Sequence, residues 1–210
     1  MPAGATPAVG AVRRVGVWVP APGNIRPQRA VLDGMTAAAT HLLCLPGGAR
    51  FTARPIRPTD KPALVGFFRR LSEESRRRRF LAPKPKLSAR ELAFFTEVDH
   101  DLHVALVALD REGAIVGVAR YATWPDHRDR AEIAFAVVDE WHGRGLGSAL
   151  ADRLVEHARR SGLAVLTAST LSENAAAHAL LLRLGFVRAG ASSGVAEYEL
   201  EFAGALGAAA

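Results

Sequence analysis

Val137-Val138-Asp139-Glu140-Trp141-His142-Gly143-Arg144-Gly145-Leu146-Gly147, followed by Ser148, decides the reading of this chain. Three glycines stand at alternate positions directly between a predicted strand and a predicted helix. Glycine permits positive φ and lets a ligand approach the backbone closely. Successive N–H groups in such a turn form a nest for an anion. The helix that starts near Gly145 adds the positive end of its dipole. A pyrophosphate is the natural occupant, and Arg144 either adds charge or faces solvent. The G-x-G-x-x-G of a Rossmann loop is not met, since the run is G-R-G-L-G-S-A, and no Gly-Lys-Ser/Thr follows as a Walker loop requires. From the glycines alone, a tight strand-to-helix connection without a ligand also remains open.

Working outward, the preceding strand is expected over Arg130–Val138. The helix after the loop runs from about Gly145 to Arg160, with Leu146, Leu150, Leu154 and Ala158 on one face, and Gly162 breaks it. A strand at Leu163–Ser169, a helix at Asn174–Leu184 and a closing strand pair, Phe186–Ala189 with Val195–Phe202, complete the C-terminal side. Upstream, His103–Asp110 and Ala114–Thr123 flank Arg111-Glu112-Gly113 as a hairpin. Before it, Ser88-Ala89-Arg90-Glu91 forms a capping box ahead of Leu92, Phe94 and Phe95. A short helix covers Glu73–Phe80. Another carries Leu64, Phe67, Phe68 and Leu71 at helical spacing, capped by Thr59 or Asp60. Phe51–Pro58 reads as the first strand of the domain. The order β-α-α-α-β-β-β-α-β-α-β-β describes an α/β (α+β) protein with a mixed sheet and helices on its faces.

The chain has 210 residues, room for one domain and a tail. Its hydrophobic content of 49% and charged content of 23% are those of an ordinary soluble protein. No apolar run reaches the roughly 18–20 residues that span a bilayer. The single cysteine, Cys44, rules out an intrachain disulfide framework and fits a cytoplasmic protein. The net charge of +6 is unevenly placed: residues 1–50 carry five Arg and one Asp, leaving 22 basic against 20 acidic residues. No aromatic-interleaved basic pattern accompanies it, so a nucleic-acid partner is not expected. Residues 1–50, rich in Ala, Gly and Pro, are expected to be a loosely ordered extension, with Val15–Val19 a possible short strand. Residues 51–203 form the domain and 204–210 a flexible tail. The histidines show no metal spacing, and no metal is expected.

His142-Gly143-Arg144-Gly145-Leu146-Gly147 resembles the acetyl-CoA pyrophosphate loop of GNAT acetyltransferases, usually Gln/Arg-x-x-Gly-x-Gly/Ala, with His142 departing from the usual first residue. Asn174-x-x-Ala177 and Leu184-Gly185-Phe186 match the family's second coenzyme-contacting helix and the strand after it, at the usual separation. The resemblance covers about residues 51–203, including Arg54-Pro55-Ile56-Arg57-Pro58. It implies the GNAT fold, a mixed and mostly antiparallel sheet flanked by helices, with acetyl-CoA as donor. The loop from His142 to Ser148, the backbone near Val137 and Val138, and Asn174 would hold that donor. A closer likeness is to the bacterial protein-lysine acetyltransferases that modify acyl-CoA synthetases. It rests on Phe67–Arg76, Phe95–Asp99, Val116–Tyr121 and Arg130-Ala131-Glu132. It implies a protein acceptor such as an acyl-CoA synthetase; a small-molecule amine acetyltransferase is the rival reading, and a non-catalytic acyl-CoA-binding module a further one.

Acetyl transfer needs a route for proton removal, because an amine of pKa about 10.4 is protonated at neutral pH. On its strand, Glu132 shares a face with Ala134, Ala136 and Val138, while Ile133, Phe135 and Val137 share the other. Small residues leave room beside Glu132 for a ligand, and the position resembles the branch's catalytic glutamate; the other reading is a surface carboxylate paired with Arg128 or Arg130. Many family members place a tyrosine seven residues after the asparagine as general acid, and here that position is Leu181. The two tyrosines, Tyr121 and Tyr198, read as packing residues. Asn174 could equally cap its helix. The run Arg76–Arg79 reads as a solvated face, or as a contact for an acidic protein or for the 3′-phosphate of the coenzyme.

Overall fold

The computed structural model describes residues 40–124 and 126–202. The expected strand at Val15–Val19 and the C-terminal tail from 204 lie outside the described residues.

Eight strands form one sheet in the order β1-β2-β3-β4-β5-β6-β8-β7. They are β1 His41–Cys44, β2 Arg50–Pro55, β3 His103–Leu109, β4 Ile115–Trp124, β5 His127–Val137, β6 Val165–Leu171, β7 Val187–Ser192 and β8 Val195–Glu201. The helices are α1 Lys61–Arg70, α2 Glu73–Phe80, α3 Ala89–Thr96, α4 Leu146–Arg160 and α5 Ala175–Arg183. This is the α+β architecture expected. The sheet starts earlier than Phe51, however: β1 lies within the stretch expected to be loosely ordered and pairs antiparallel with β2, His41 opposite Ala53. Leu43 and Leu45 sink into the core beside it. Four residues are too few to show a period, so only the Pro46-Gly47-Gly48 turn that follows could have signalled a hairpin.

Local chemistry sets the element ends. Ser72 caps α2 by accepting the Ser75 N–H at 3.1 Å. Ser88 and Glu91 form the anticipated box at α3, with Glu91 accepting the Ser88 N–H at 2.8 Å. Asp60 does not cap α1. Its carboxylate takes two bonds from Arg54, at 2.7 and 2.8 Å, and the Arg57 N–H at 2.8 Å. It thereby ties the end of β2 to the entry of α1. In the β3–β4 turn, Asp110 accepts the N–H groups of Glu112 and Ala114, and Gly113 takes φ 83°.

Every neighbouring pair of strands is antiparallel except β5–β6. That pair must be parallel because α4 carries the chain back across the sheet between them. Its register spans only Arg130↔Val165 to Glu132↔Thr167, although β5 continues to Val137 and β6 to Leu171. The two strands therefore part in the middle of the sheet. One face is covered by α4, whose Leu146, Leu150, Leu154 and Ala158 are wholly buried. Tyr121 points to that side and bonds His157 of α4 at 2.9 Å. On the other face α3 meets Arg120 through Phe95.

Candidate active site

Where β5 and β6 separate, a cavity of about 1100 Å³ opens, walled by β5, β6, the glycine loop and the first turns of α4 and α5. Backbone bonding decides what β5 presents to it. The Val138 N–H donates to Val116 at 2.9 Å across β4, and the Val138 carbonyl accepts the Trp141 N–H at 2.9 Å. Both polar groups of Val138 are thus taken, and Val138 is turned away from the cavity. Because bonded and non-bonded pairs alternate in an antiparallel ladder, the groups of Val137 and Phe135 point from β5 toward the gap. Phe135 is a lining residue that side-chain reasoning passed over.

The loop is held by side chains so that its backbone is left for a ligand. His142 donates from Nε2 to the Val137 carbonyl at 2.8 Å, which pins the loop to the strand end. Arg144 turns back, its guanidinium 5.1 Å from the Trp141 ring centre, and Trp141 packs edge-on against Phe51 at 4.7 Å. Leu146 is fully buried in the core. Arg144 and Leu146 therefore do not send side chains into the cavity, whereas Gly143, Gly145, Gly147 and Ser148 line it. Gly143 and Gly145 adopt φ 69° and 91°, and no side chain caps α4 at Gly145. The first N–H groups of a helix have no partners within it, so the start of α4 presents donors suited to a diphosphate.

Asn174 does both things its position allowed. Its Oδ1 accepts the Ala177 N–H at 3.3 Å as the α5 cap, while the residue also lines the cavity. Leu181 lines the cavity where a tyrosine would give a proton. Tyr198 also reaches the cavity wall, but its hydroxyl is bonded to His178 Nδ1 at 2.6 Å.

Glu132 is half-buried on the cavity wall beside Ala134 and Ala136. Arg130 pairs with Glu199 at 2.8 Å. Among the described residues, Arg79 of α2 feels the charge of Glu132 and also lines the cavity. The run Arg76–Arg79 thus divides by face. Arg76 stacks on Phe68 at 4.7 Å, Arg77 pairs with Glu74 and Glu173, Arg78 borders the cavity while paired with Glu74, and Arg79 enters the cavity. A second cation unrecognised in the sequence, Arg120 of β4, is buried in the same wall, its guanidinium 4.4 Å from the Phe95 ring centre. Burial, then the charge of Arg79, pushes Arg120 down to about 9, and burial pushes Arg79 down to about 10 against the pull of Glu132. Both stay protonated at neutral pH. His103, buried beside Arg120, is held well below its ordinary value by burial and by that charge. Among the described residues no group of three or more His, Cys, Asp or Glu side chains converges as a metal set would.

Residues 68–186 match the acetyltransferase (GNAT) family. An acetyltransferase of Pseudomonas aeruginosa is 32% identical over 146 residues, covering 68% of this chain and 78% of that protein. Acetyltransferase Pat of Mycolicibacterium smegmatis is 30% identical over 155 residues; the match covers 73% of this chain and 46% of Pat, so this chain spans under half of it. Among solved structures, the GNAT domain of S. lividans PAT is similar with a TM-score of 0.73 at 30% identity, over 78% of this chain and 97% of that domain. The parted strands, the glycine loop and these likenesses agree: the chain belongs to the GNAT family of acetyl-CoA-dependent acetyltransferases.

Proposed function

We propose that this enzyme acetylates lysine ε-amines of a protein such as an acyl-CoA synthetase, by direct attack of the amine on acetyl-CoA with Glu132 as general base. The observation that carries the reading is the placement of Glu132. It stands on the strand whose far end meets the glycine loop, in the same cavity, with Ala134 and Ala136 between it and that end on its face. The resemblance of Arg130-Ala131-Glu132 and the segments around it to the protein-lysine acetyltransferase branch supports the protein acceptor.

In this reading the amides at the start of α4 and the nest at Gly143–Gly145 hold the diphosphate. The outward N–H of Val137 stands at the strand end as a donor to a thioester carbonyl, the prepositioned polarisation that acyl transfer requires. The donor supplies the activated thioester. Glu132 accepts the proton of the incoming ammonium, directly or through a water, and so frees the nitrogen lone pair. Leu181 offers no proton, but a thiol of pKa about 8.5 is a competent leaving group as thiolate.

Glu132→Gln is the decisive variant. Loss of a general base lowers kcat by about 10²- to 10⁴-fold, while the thermal shift induced by acetyl-CoA persists because binding to the folded state is retained. Unchanged turnover removes Glu132 from the role. Labelled acetyl-CoA offered to an intact proteome and to its deproteinised extract separates the acceptors: label confined to small molecules rejects the protein reading.

A further inference from the structure

Two arginines in the cavity wall have no task in acetyl transfer as described. Arg120 pairs with Ala134 across β4–β5, and Glu132 pairs with Ala122, so Arg120 and Glu132 are diagonal neighbours on one face of the sheet. His103 pairs with Ala122 and lies in the row of Glu132. Arg120 is placed by its surroundings: Nη1 donates to the Phe95 carbonyl at 3.3 Å and to His103 Nε2 at 3.3 Å, and the guanidinium plane rests on Phe95. Both bonds use Nη1, although a guanidinium carries five N–H donors. Among the described residues neither Arg120 nor Arg79 forms an ion pair within 4.0 Å, although Arg79 feels the charge of Glu132.

Charge counting gives this feature a direction. Among the described residues at this corner, Arg79 and Arg120 are cationic, Glu132 is anionic and His103 is neutral, so these four groups together carry one positive charge in excess. Glu197 and Glu199, also on the cavity, stand on β8, two strands from β5 and roughly 10 Å away, and Glu199 is engaged by Arg130. An acceptor that arrives as a bare ammonium adds a second positive charge, whereas one that brings a carboxylate restores balance. The phosphates of the donor do not answer the need. Ala134 lies three residues, roughly 10 Å, down β5 from Val137, which places Arg120 at the Glu132 end of the cavity and not at the loop.

We propose that Arg79 and Arg120 form an anion subsite that grips a carboxylate of the acceptor beside Glu132, making acceptors with a carboxylate near the reacting amine the preferred class. This rests on the acetyl-transfer reading and refines its acceptor. The carboxylate can belong to an Asp or Glu beside the target lysine of a protein, or to a free amino acid; the recognising chemistry is the same.

The test is steady-state kinetics with acetyl-CoA and matched acceptor pairs. One arm uses lysine peptides with Glu or Gln next to the lysine. The other uses amino acids and their carboxamides. The carboxylate member of a pair is expected to lead in kcat/KM by about ten- to a hundredfold, the worth of a hydrogen bond to a charged group. Arg79→Gln should bring the pair toward parity and Arg79→Lys should keep part of the preference, a difference that a purely structural role would not produce. Arg120→Lys, which keeps the charge but loses the planar fork, should also narrow it; if that variant does not fold, the Arg79 pair decides. A lead in either arm supports the subsite, and the arm assigns its source. Parity in the unaltered enzyme, or a lead undiminished by Arg79→Gln, overturns it. A Glu132→Gln enzyme that turns over normally strikes the base assignment and leaves this ratio to be judged separately.

Discussion

Gly145 and Gly147 look alike in sequence and do different work. At φ 91° Gly145 occupies the left-handed region, where a Cβ is strained whatever the space around it. Gly147 is helical, and an added Cβ would meet Val137 at 3.6 Å and Leu180 at 4.0 Å, ordinary contact distances. Gly145→Ala should therefore lower stability by roughly 1–2 kcal/mol. Gly147→Ala should leave stability unchanged or raise it by up to about 1 kcal/mol, yet weaken acetyl-CoA binding, because the methyl enters the wall proposed to hold the diphosphate. Urea unfolding and calorimetric titration of both variants read the two effects apart. Full donor affinity in Gly147→Ala would remove that wall from the binding site. The glycines were legible in the sequence as a nest. That His142 is tied to the Val137 carbonyl, and that Val138 is turned away, was not, because both depend on which ladder each backbone group joins.

At the scale of elements, the loop is positioned by how closely α4 lies on β4. The approach is set by Gly117, where a Cβ would stand 2.8 Å from Leu150 Cδ1 and 3.6 Å from Leu146 Cδ2. Gly117→Val should cost about 1–3 kcal/mol by overpacking. Because the proposed donor site is the N-terminus of α4, it should also reduce acetyl-CoA affinity; a variant that loses stability but binds the donor as before would uncouple the two. The amphipathic faces of α1 and α4 and the box at α3 could be read from spacing. The division of Arg76–Arg79 could not. The helix α2 has no fully buried residue and its segment is almost uniformly charged, so no apolar stripe indicated which arginine faces the sheet. Arg120 was hidden for the opposite reason, lying in a strand whose neighbours are buried on both faces.

The whole molecule should respond to mild acid through its histidines. Burial lowers the pKa of His100, His103 and His157 below the ordinary 6.5. The unfolded chain then takes up protons near pH 6.5 while the folded one resists, so these groups contribute stability above that value and lose it as pH falls through their folded pKa values. Each contributes a slope of at most about 1.4 kcal/mol per pH unit. Unfolding free energy from urea titration should fall between pH 7.5 and 5.5, and His157→Gln should flatten the decline. A pH-independent value over that range would contradict the burial of these rings. Asp60 acts lower. Burial raises its carboxyl, but the Arg54 and Arg57 bonds outweigh that and hold it below its usual range. Its stabilisation is present above about pH 4 and is lost as acid protonates it in the folded state.

The sequence by itself determined the order of elements after Phe51, the strand–glycine–helix unit and the face on which Glu132 stands, since these follow from local periodicity and from what glycine alone permits. Only the tertiary structure decided that His41–Cys44 joins the sheet, that β5 and β6 part after three paired residues, and that Arg79 and Arg120 meet Glu132 in one cavity. Those facts depend on contacts between segments that are distant along the chain. No pattern within a short window carries the register of a sheet or the side from which a charged helix approaches it.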